Sequence, residues 1–137
     1  MRKSLLTLIL GILLLFTMSA CQSNTTATTE AVTIVQAYYD AVNQRQIDKA
    51  MTYIADDASF INPTGTYEGK EAIQESLQGL ANDGITFNLS AFTEENGRVT
   101  YDFEVLQGDQ VLDKGSGGLT IVRDGKIVFD GTEDTEP

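Results

Sequence analysis

The stretch ADDASFINPTGTYEG, residues 55–69, lies at the centre of the predicted fold. Asp56 and Asp57 are typical of a polar helix end, and residues 59–62 predict a short strand that runs into a Pro-Thr-Gly turn. A second extended piece follows the turn, and a helix opens near Gly69. The stretch therefore connects two N-terminal helical patterns to a third helix and a run of strands.

Composition and charge narrow the function classes. The chain has 137 residues, enough for one domain, and 20 acidic against 9 basic side chains give a formal net charge of -11. Such a charge repels phosphate groups, so we expect no nucleic acid partner. The sequence contains no histidine, which excludes a histidine-based triad and a histidine-ligated metal site. We expect neither a metal nor another cofactor.

Residues 1–20 have the order of a secretory signal peptide, with a positively charged start, an apolar run over residues 5–16 and a small mixed segment. The apolar run is shorter than the roughly 20 residues that span a bilayer. The motif MSAC at residues 18–21 resembles the lipobox of bacterial lipoproteins, which implies that Cys21 is lipidated and that the chain is cut before it. We therefore expect an extracytoplasmic protein with a lipid anchor in a bacterial membrane. An uncleaved membrane anchor and an ordinary signal-peptidase site are the alternatives.

The domain boundaries follow from the composition. Residues 21–29 comprise Cys21 and a spacer without large apolar side chains, which is typical of a flexible tether. Residues 30–133 carry the helical and strand patterns and form the domain, and residues 134–137 are an acidic tail. The sequence thus predicts one folded domain that stands clear of a membrane.

Three helices are predicted within the domain. The first begins near Glu30 behind a threonine cap, and its two adjacent apolar stripes indicate that it packs across a sheet. The second carries apolar residues at helical spacing over residues 47–54. The third covers about residues 70–80 and stops at an Asn-Asp-Gly run.

Alternation of apolar and polar residues predicts antiparallel strands over residues 85–91 and 99–106. A three-residue loop at residues 95–97 matches their apolar faces, whereas a two-residue turn would oppose apolar to polar positions. The register that follows pairs Ala91 with Tyr101, Leu89 with Phe103 and Phe87 with Val105. Gly108-Asp109 predicts the next turn, and the glycines at 115, 117 and 118 predict a bulge or a close backbone approach.

The order of helices and strands resembles the nuclear transport factor 2-like superfamily, also called SnoaL-like. The motifs that carry the likeness are YDAVN at residues 39–43, DDASF at 56–60, YEGKEAI at 67–73 and DGKI at 124–127. The resemblance implies an α+β fold, in which a curved antiparallel sheet wraps around helices to form a cone with an apolar cavity. Members include polyketide cyclases, ketosteroid isomerase, dehydratases and non-catalytic binding modules, so the fold alone does not settle the function.

Apolar and aromatic residues at the predicted inner positions either line the cavity or simply pack in the core. The cavity candidates are Tyr39, Tyr53, Phe60, Asn62, Tyr67, Phe87, Leu89, Tyr101, Phe103 and Leu119, of which Asn62 is either a turn former or a polar group at the mouth. Asp130 is ambiguous, because a two-residue turn at Asp124-Gly125 places it beside Leu119 and Ile121 whereas a three-residue loop turns it outward. An inward Asp130 would be a desolvated carboxylate suited to act as a general base, with Tyr101 as its partner.

The apolar inner positions and the absence of histidine favour binding over catalysis. We expect the domain to bind a small apolar ligand or a partner without converting it. The alternative is an isomerase, dehydratase or cyclase that uses Asp130 and a tyrosine. A homodimer is compatible with the sequence, which leaves the oligomeric state open.

Overall fold

The computed structural model describes residues 29–137, so the predicted signal peptide, Cys21 and most of the tether lie outside the described residues. The elements in chain order are α1 (Glu30–Asn43), α2 (Ile47–Met51), β1 (Ile54–Asn62), β2 (Gly65–Glu68), α3 (Gly69–Asn82), β3 (Ile85–Glu95), β4 (Arg98–Gln107), β5 (Gln110–Arg123), β6 (Lys126–Thr132) and a 3₁₀ turn (Glu133–Thr135). None of the helices in this part of the chain is long and apolar enough to cross a membrane.

Six strands form one curved, unclosed sheet in the order β2-β1-β6-β5-β4-β3. Neighbouring strands are antiparallel except β1 and β6, which pair in parallel, so the sheet is mixed where a purely antiparallel one was predicted. The parallel pair arises because the chain returns to β1 only after the β3–β6 meander. The predicted α+β cone is confirmed.

Helix α1 begins where the sequence predicts and buries the broad face that the sequence indicates. The Thr29 hydroxyl caps it by accepting a hydrogen bond from the Val32 amide at 3.3 Å, and Val35, Tyr38, Ala41 and Val42 are buried. Helix α2 is shorter than predicted, because Ile54 already begins β1.

The longer β1 corrects the reading of residues 55–57. Asp56 and Asp57 lie on an exposed part of the strand, not at a helix end. The Lys70 ammonium group lies 2.9 Å from Asp56 and lowers the pKa of that carboxyl, which marks a surface ion pair.

The β3–β4 hairpin combines a tight turn with a bulge. Glu95 pairs with Arg98, so Asn96-Gly97 is a two-residue turn with both φ angles positive (53° and 81°), and the predicted three-residue loop is wrong. A bulge between Ser90 and Thr93 then takes up one residue, so Leu89–Phe103 and Phe87–Val105 pair as predicted while Ala91 and Tyr101 do not. The predicted turn at Gly108-Asp109 is confirmed by the pairing of Gln107 with Gln110.

The β5–β6 hairpin repeats this arrangement and decides the facing of Asp130. Arg123 pairs with Lys126 across a two-residue turn, and a register shift follows between Ile121 and Val122. Asp130 therefore pairs with Thr120, on the face that carries Tyr101 and lies against the helices. Neither predicted alternative describes this result, because both left out the bulge.

Two apolar clusters lie on opposite faces of the sheet. The main core lies between sheet and helices and includes Val35, Tyr38, Ile54, Ile73, Val99, Tyr101 and Ile127. Leu119, Ile121 and Phe129 form the second, the outer-face cluster, although Leu119 was predicted to line the cavity. Leu119 pairs with Thr100, the residue before Tyr101 in β4. Because successive side chains of a strand point to opposite faces, Leu119 lies on the face opposite to Tyr101.

Candidate functional site

Helix α1 and strand β3 enclose a pocket of about 350 Å³. Its wall consists of Gln36, Tyr39, Asp40 and Asn43 from α1 and Phe87, Leu89 and Phe92 from β3. The helical residues recur at spacings of three and four, which place them on one face of α1. The volume lies at the small end of the range for small-molecule sites.

The Asn43 side chain ties the two walls of the pocket together. Its Nδ2 donates to the Phe87 carbonyl at 2.8 Å, and its Oδ1 accepts from the Phe87 amide at 2.8 Å. Both polar ends of the amide are thus used on one backbone position of β3. The separation of α1 from β3, and with it the width of the pocket, is fixed by these two hydrogen bonds.

The bulge in β3 directs Phe92 into the pocket. Ala91 has a φ of 53°, a left-handed conformation that costs an L-residue roughly 1–2 kcal/mol. The two bulged residues, Ala91 and Phe92, lie opposite the single residue Tyr101. The Phe92 ring then packs 5.8 Å from the Tyr101 ring, centroid to centroid, while lining the pocket. Bulges of this kind re-aim side chains and often adjoin functional sites.

Beside the pocket lies a network that we call the hydroxyl cluster, formed by Tyr39, Tyr101, Thr120 and Asp130. The Asp130 carboxylate accepts from Thr120 Oγ1 at 2.6 Å, from Tyr39 Oη at 2.9 Å and from Tyr101 Oη at 3.1 Å. The hydroxyl groups also contact each other, at 3.1 Å between Tyr39 and Tyr101 and at 2.9 Å between Tyr101 and Thr120. Tyr39 belongs to both the cluster and the pocket wall, so it connects the two.

Burial dominates the electrostatics of the cluster. It raises the pKa of Asp130 to about 6, although the hydrogen bonds from Thr120, Tyr39 and Tyr101 act in the opposite direction. Burial and the nearby Asp130 charge raise the pKa of Tyr39 and of Tyr101 well above 10, so both phenols stay protonated near neutral pH. The cluster therefore holds a carboxyl that titrates near neutrality next to permanent hydroxyl donors.

Gly118 leaves room for the Tyr101 ring. It pairs with Tyr101 across β4 and β5, and a Cβ atom at this position would overlap the ring edge, with Cδ2 of Tyr101 only 2.7 Å away. Gly115 similarly lies under the Phe103 ring. A Cβ atom at this position would lie 3.0 Å from the nearest ring carbon. The predicted close approach at the β5 glycines is thus confirmed, and its role is to seat two aromatic side chains.

Three of the ten cavity candidates, Tyr39, Phe87 and Leu89, line the pocket. Tyr101 lies in the hydroxyl cluster, and Tyr53, Phe60, Tyr67 and Phe103 pack in or against the main core. Asn62 forms a turn, because its Oδ1 accepts from the Thr64 amide at 2.9 Å. Asp130 and Tyr101, the candidate catalytic pair, lie 3.1 Å apart between Oδ1 and the phenolic oxygen.

Sequence reasoning missed five site residues: Gln36, Asp40, Asn43, Phe92 and Thr120. The spacing of Gln36, Tyr39, Asp40 and Asn43 along α1 is a signal that could have found the first three. Phe92 and Thr120 carry no such signal, since their facing depends on bulges. Among the described residues, histidine, cysteine, aspartate and glutamate side chains form no group that could hold a metal ion.

Residues 35–129 match the SnoaL-like domain family. A nuclear transport factor 2-like protein of unknown function from Cytophaga hutchinsonii has a similar structure, with a TM-score of 0.63 and 19% identity over 77% of this chain and 89% of that one. An epoxide hydrolase of the LEH-like type from M. tuberculosis is similar with a TM-score of 0.63, at 19% identity over 75% of this chain and 76% of its own.

A third similar structure is a putative ketosteroid isomerase from Kribbella flavida, with a TM-score of 0.64 and 16% identity over 80% of this chain and 84% of that one. At these identities the likeness establishes the fold. No curated protein sequence matches the chain.

Proposed function

The chain belongs to the SnoaL-like domain family, and from that premise we propose that it binds a small, largely apolar molecule in the pocket between α1 and β3. The observation that carries the proposal is the position of Tyr39. Its ring forms part of the pocket wall, and its hydroxyl belongs to the hydroxyl cluster. A ligand in the pocket therefore meets the apolar side chains of β3 on one side and the polar face of α1 on the other. Apolar surface combined with a few polar groups is the usual composition of a small-molecule site.

Binding without conversion is supported by the state of the carboxylate. Asp130 accepts hydrogen bonds from three hydroxyl groups of the protein itself. Its acceptor positions are thus largely occupied, and a substrate proton would have to displace one of these donors. In this state the cluster holds the Tyr39 side chain in a fixed position in the pocket wall.

Calorimetry with a panel of aromatic and aliphatic compounds tests the proposal. We expect binding with a negative heat-capacity change, because apolar surface is buried. Phe92→Ala should weaken binding by roughly tenfold, as the loss of an aromatic wall does. Val111→Ala, which trims a side chain that is 46% exposed on β5, is the matched control. Equal affinities for both variants and the wild type would place the ligand elsewhere and refute the proposal.

Proton-transfer catalysis is a second candidate, and one observation favours it. The pKa of Asp130 is about 6, the range in which a general base works best near neutral pH. In an isomerase, dehydratase or cyclase of this type, Asp130 would accept a proton from substrate carbon, and the Tyr39 or Tyr101 hydroxyl would donate a hydrogen bond to the developing oxyanion.

The same compounds, followed for conversion, separate the two candidates. Catalysis requires turnover that falls at least roughly a hundredfold in Asp130→Asn, the usual size of a general-base contribution. The rate should rise with pH through about 6, the pKa of Asp130. Binding without conversion at any pH would leave the binding role alone.

We also propose that the protein is a lipoprotein of a bacterial cell envelope, held in a membrane through Cys21. The support is the signal-like order of residues 1–20 and the MSAC motif at residues 18–21. Two or more acyl chains anchor a protein stably, since each buried methylene contributes about 0.8 kcal/mol.

Expression in a bacterial host with a labelled fatty acid tests the anchor. The wild-type protein should carry the label and partition into detergent, and Cys21→Ala should lose both properties. Cys21→Ser controls for side-chain size and should behave like the alanine variant. Equal labelling of wild type and variants would rule the anchor out.

A further inference from the structure

We propose that the pocket between α1 and β3 selects ligands that carry a positively charged ammonium group. This inference rests on the proposed binding function and names the class of ligand. It derives from the charge at the rim of the pocket, the aromatic rings in its wall and the hydrogen bonds that already occupy the Asn43 and Tyr39 side chains.

The charge at the rim is negative. Asp40 lines the pocket and is exposed to solvent, so its carboxylate can contact a ligand at the entrance. None of the described pocket residues is Lys or Arg. Three basic side chains have partners away from the pocket: Lys70 pairs with Asp56, Arg98 with Glu136, and Lys126 donates to the Thr52 carbonyl. An anionic ligand would therefore meet a like charge in the pocket wall, whereas a cation would be attracted.

The aromatic side chains present ring faces and edges at different angles. The Tyr39 and Phe87 rings lie 5.3 Å apart between centroids at an interplanar angle of 66°, and Tyr39 and Tyr101 lie 6.0 Å apart at 73°. Phe92 adds a third ring to the pocket wall. The Tyr39 and Phe87 rings pack against each other edge to face, so a ligand meets them only from the pocket side. Aromatic rings in a pocket wall attract ammonium groups through the ring quadrupole.

The other polar groups of the wall offer few hydrogen bonds to a ligand. Asn43 uses both ends of its amide on the Phe87 backbone, so it has little capacity left for a ligand. The Tyr39 hydroxyl is directed to Asp130. Gln36 and Asp40 remain as polar groups at the rim, and of these two Asp40 carries charge. The strongest polar interaction that the pocket offers a ligand is therefore with a cation.

Three matched compounds test the selectivity by calorimetry at neutral pH. They are 3-hydroxyphenyltrimethylammonium, its uncharged isostere 3-tert-butylphenol and the anion 3-hydroxybenzenesulfonate. We expect the cation to bind roughly tenfold more tightly than the isostere, from cation–π and rim attraction together. The sulfonate should bind more weakly than either.

Two variants of the pocket wall and one control outside it assign the preference to the pocket. Asp40→Asn should reduce the ratio of cation to isostere affinity by roughly threefold or more, because it removes the charge at the rim. Asp48→Asn removes an exposed carboxylate from α2, outside the pocket wall, and should leave the ratio unchanged. Phe92→Leu keeps the pocket apolar but removes a ring, so it should lower the ratio while 3-tert-butylphenol still binds.

The outcomes distinguish this inference from the function on which it rests. Equal or tighter binding of 3-tert-butylphenol would overturn the ammonium selectivity and leave the binding function standing. The same effect of Asp40→Asn and Asp48→Asn on the ratio would overturn the role of the rim charge. Binding of none of the three compounds would count against both the selectivity and the binding function.

Discussion

At the scale of single residues, Asp130 owes its properties to competing effects of burial and hydrogen bonding. Its three hydroxyl donors favour the charged carboxylate, yet its pKa rises to about 6. Burial thus outweighs three hydrogen bonds from neutral donors, because these are weaker than hydrogen bonds from charged groups. The residue is kept in this costly environment by strand pairing with Thr120, which is fully buried.

The raised pKa of Asp130 predicts how stability depends on pH. The folded value of about 6 lies above the unfolded value near 3.9, so between these pH values the folded chain holds a proton that the unfolded chain has released. The contribution of Asp130 to the free energy of unfolding is therefore fully present below pH 4 and is lost as the pH rises to about 6. In urea unfolding from pH 4 to pH 7, the free energy of unfolding of Asp130→Asn should rise relative to that of the wild type by up to about 3 kcal/mol.

The control for this prediction is Asp102→Asn, which removes an exposed carboxylate from strand β4, separated from β6 by β5. It changes the net charge by the same amount, but its exposed side chain takes no part in the hydrogen bonds of the hydroxyl cluster. A difference between wild type and Asp130→Asn that stays constant with pH would contradict the raised pKa. An opposite slope would indicate that the hydrogen bonds, and not burial, dominate.

At the scale of elements, the two hairpins explain which features could be predicted from the sequence. Asn96-Gly97 and Asp124-Gly125 are the residue pairs that two-residue turns favour. The alternation of apolar residues nevertheless argued for a three-residue loop in the first hairpin. The three-residue loop was wrong, but the match of apolar faces that argued for it holds at Leu89–Phe103 and Phe87–Val105, because the tight turn is followed by a bulge.

The same bulges mark the limit of prediction for the site. The helices, the turn at Gly108-Asp109 and the Leu89–Phe103 register follow from local patterns. The facing of Asp130 and Leu119 depends on a one-residue shift in β5–β6, and nothing in the local pattern locates such a shift. The bulge at Ala91 is equally hidden, because left-handed positions usually carry glycine.

Ala91→Gly tests the strain at the β3 bulge. The left-handed φ of 53° costs alanine roughly 1–2 kcal/mol, whereas glycine adopts it freely at an entropic cost of about 0.5–1 kcal/mol. We expect the variant to gain about 0.5–1 kcal/mol in the free energy of unfolding, measured by urea unfolding. Ala55→Gly, in strand β1 and without a positive φ, should lose a similar amount. A loss of stability at both sites would show that Ala91 is not strained.

At the scale of the whole molecule, the sheet has apolar side chains on both faces. The helices cover the inner face, and the outer face carries the outer-face cluster of Leu119, Ile121 and Phe129. All three residues are buried, with at most 7% of their surface exposed. The C-terminal segment after β6 contacts this side of the molecule. Glu133 Oε2 lies 3.1 Å from the point that a Cβ atom on Gly117 would occupy, and Thr135 Oγ1 lies 2.8 Å from the corresponding point on Gly131. Glu136 forms an ion pair with Arg98.

The fold of the C-terminal segment is specified by hydrogen bonds across four residues. The Thr132 amide donates to Thr135 Oγ1 at 2.9 Å, and Thr135 Oγ1 donates to the Thr132 carbonyl at 2.9 Å. These bonds turn the chain back toward β5 instead of letting it continue from β6. The acidic end of the chain, predicted as a plain tail, is therefore part of the folded domain.

Removal of the residues after Thr132 tests whether this segment protects the outer-face cluster. The truncated protein should lose about 1–3 kcal/mol in the free energy of unfolding, because apolar surface becomes exposed to water and the Thr132–Thr135 hydrogen bonds are lost. It should also bind a hydrophobic dye more strongly and associate more readily in sedimentation experiments, since an exposed apolar patch favours association. Arg98→Ala, which removes the surface ion pair with Glu136 and keeps the segment, should cost at most about 1 kcal/mol and leave dye binding unchanged. A truncated protein with unchanged stability and dye binding would mean that neighbouring side chains of the sheet, and not the C-terminal segment, keep Leu119, Ile121 and Phe129 from water.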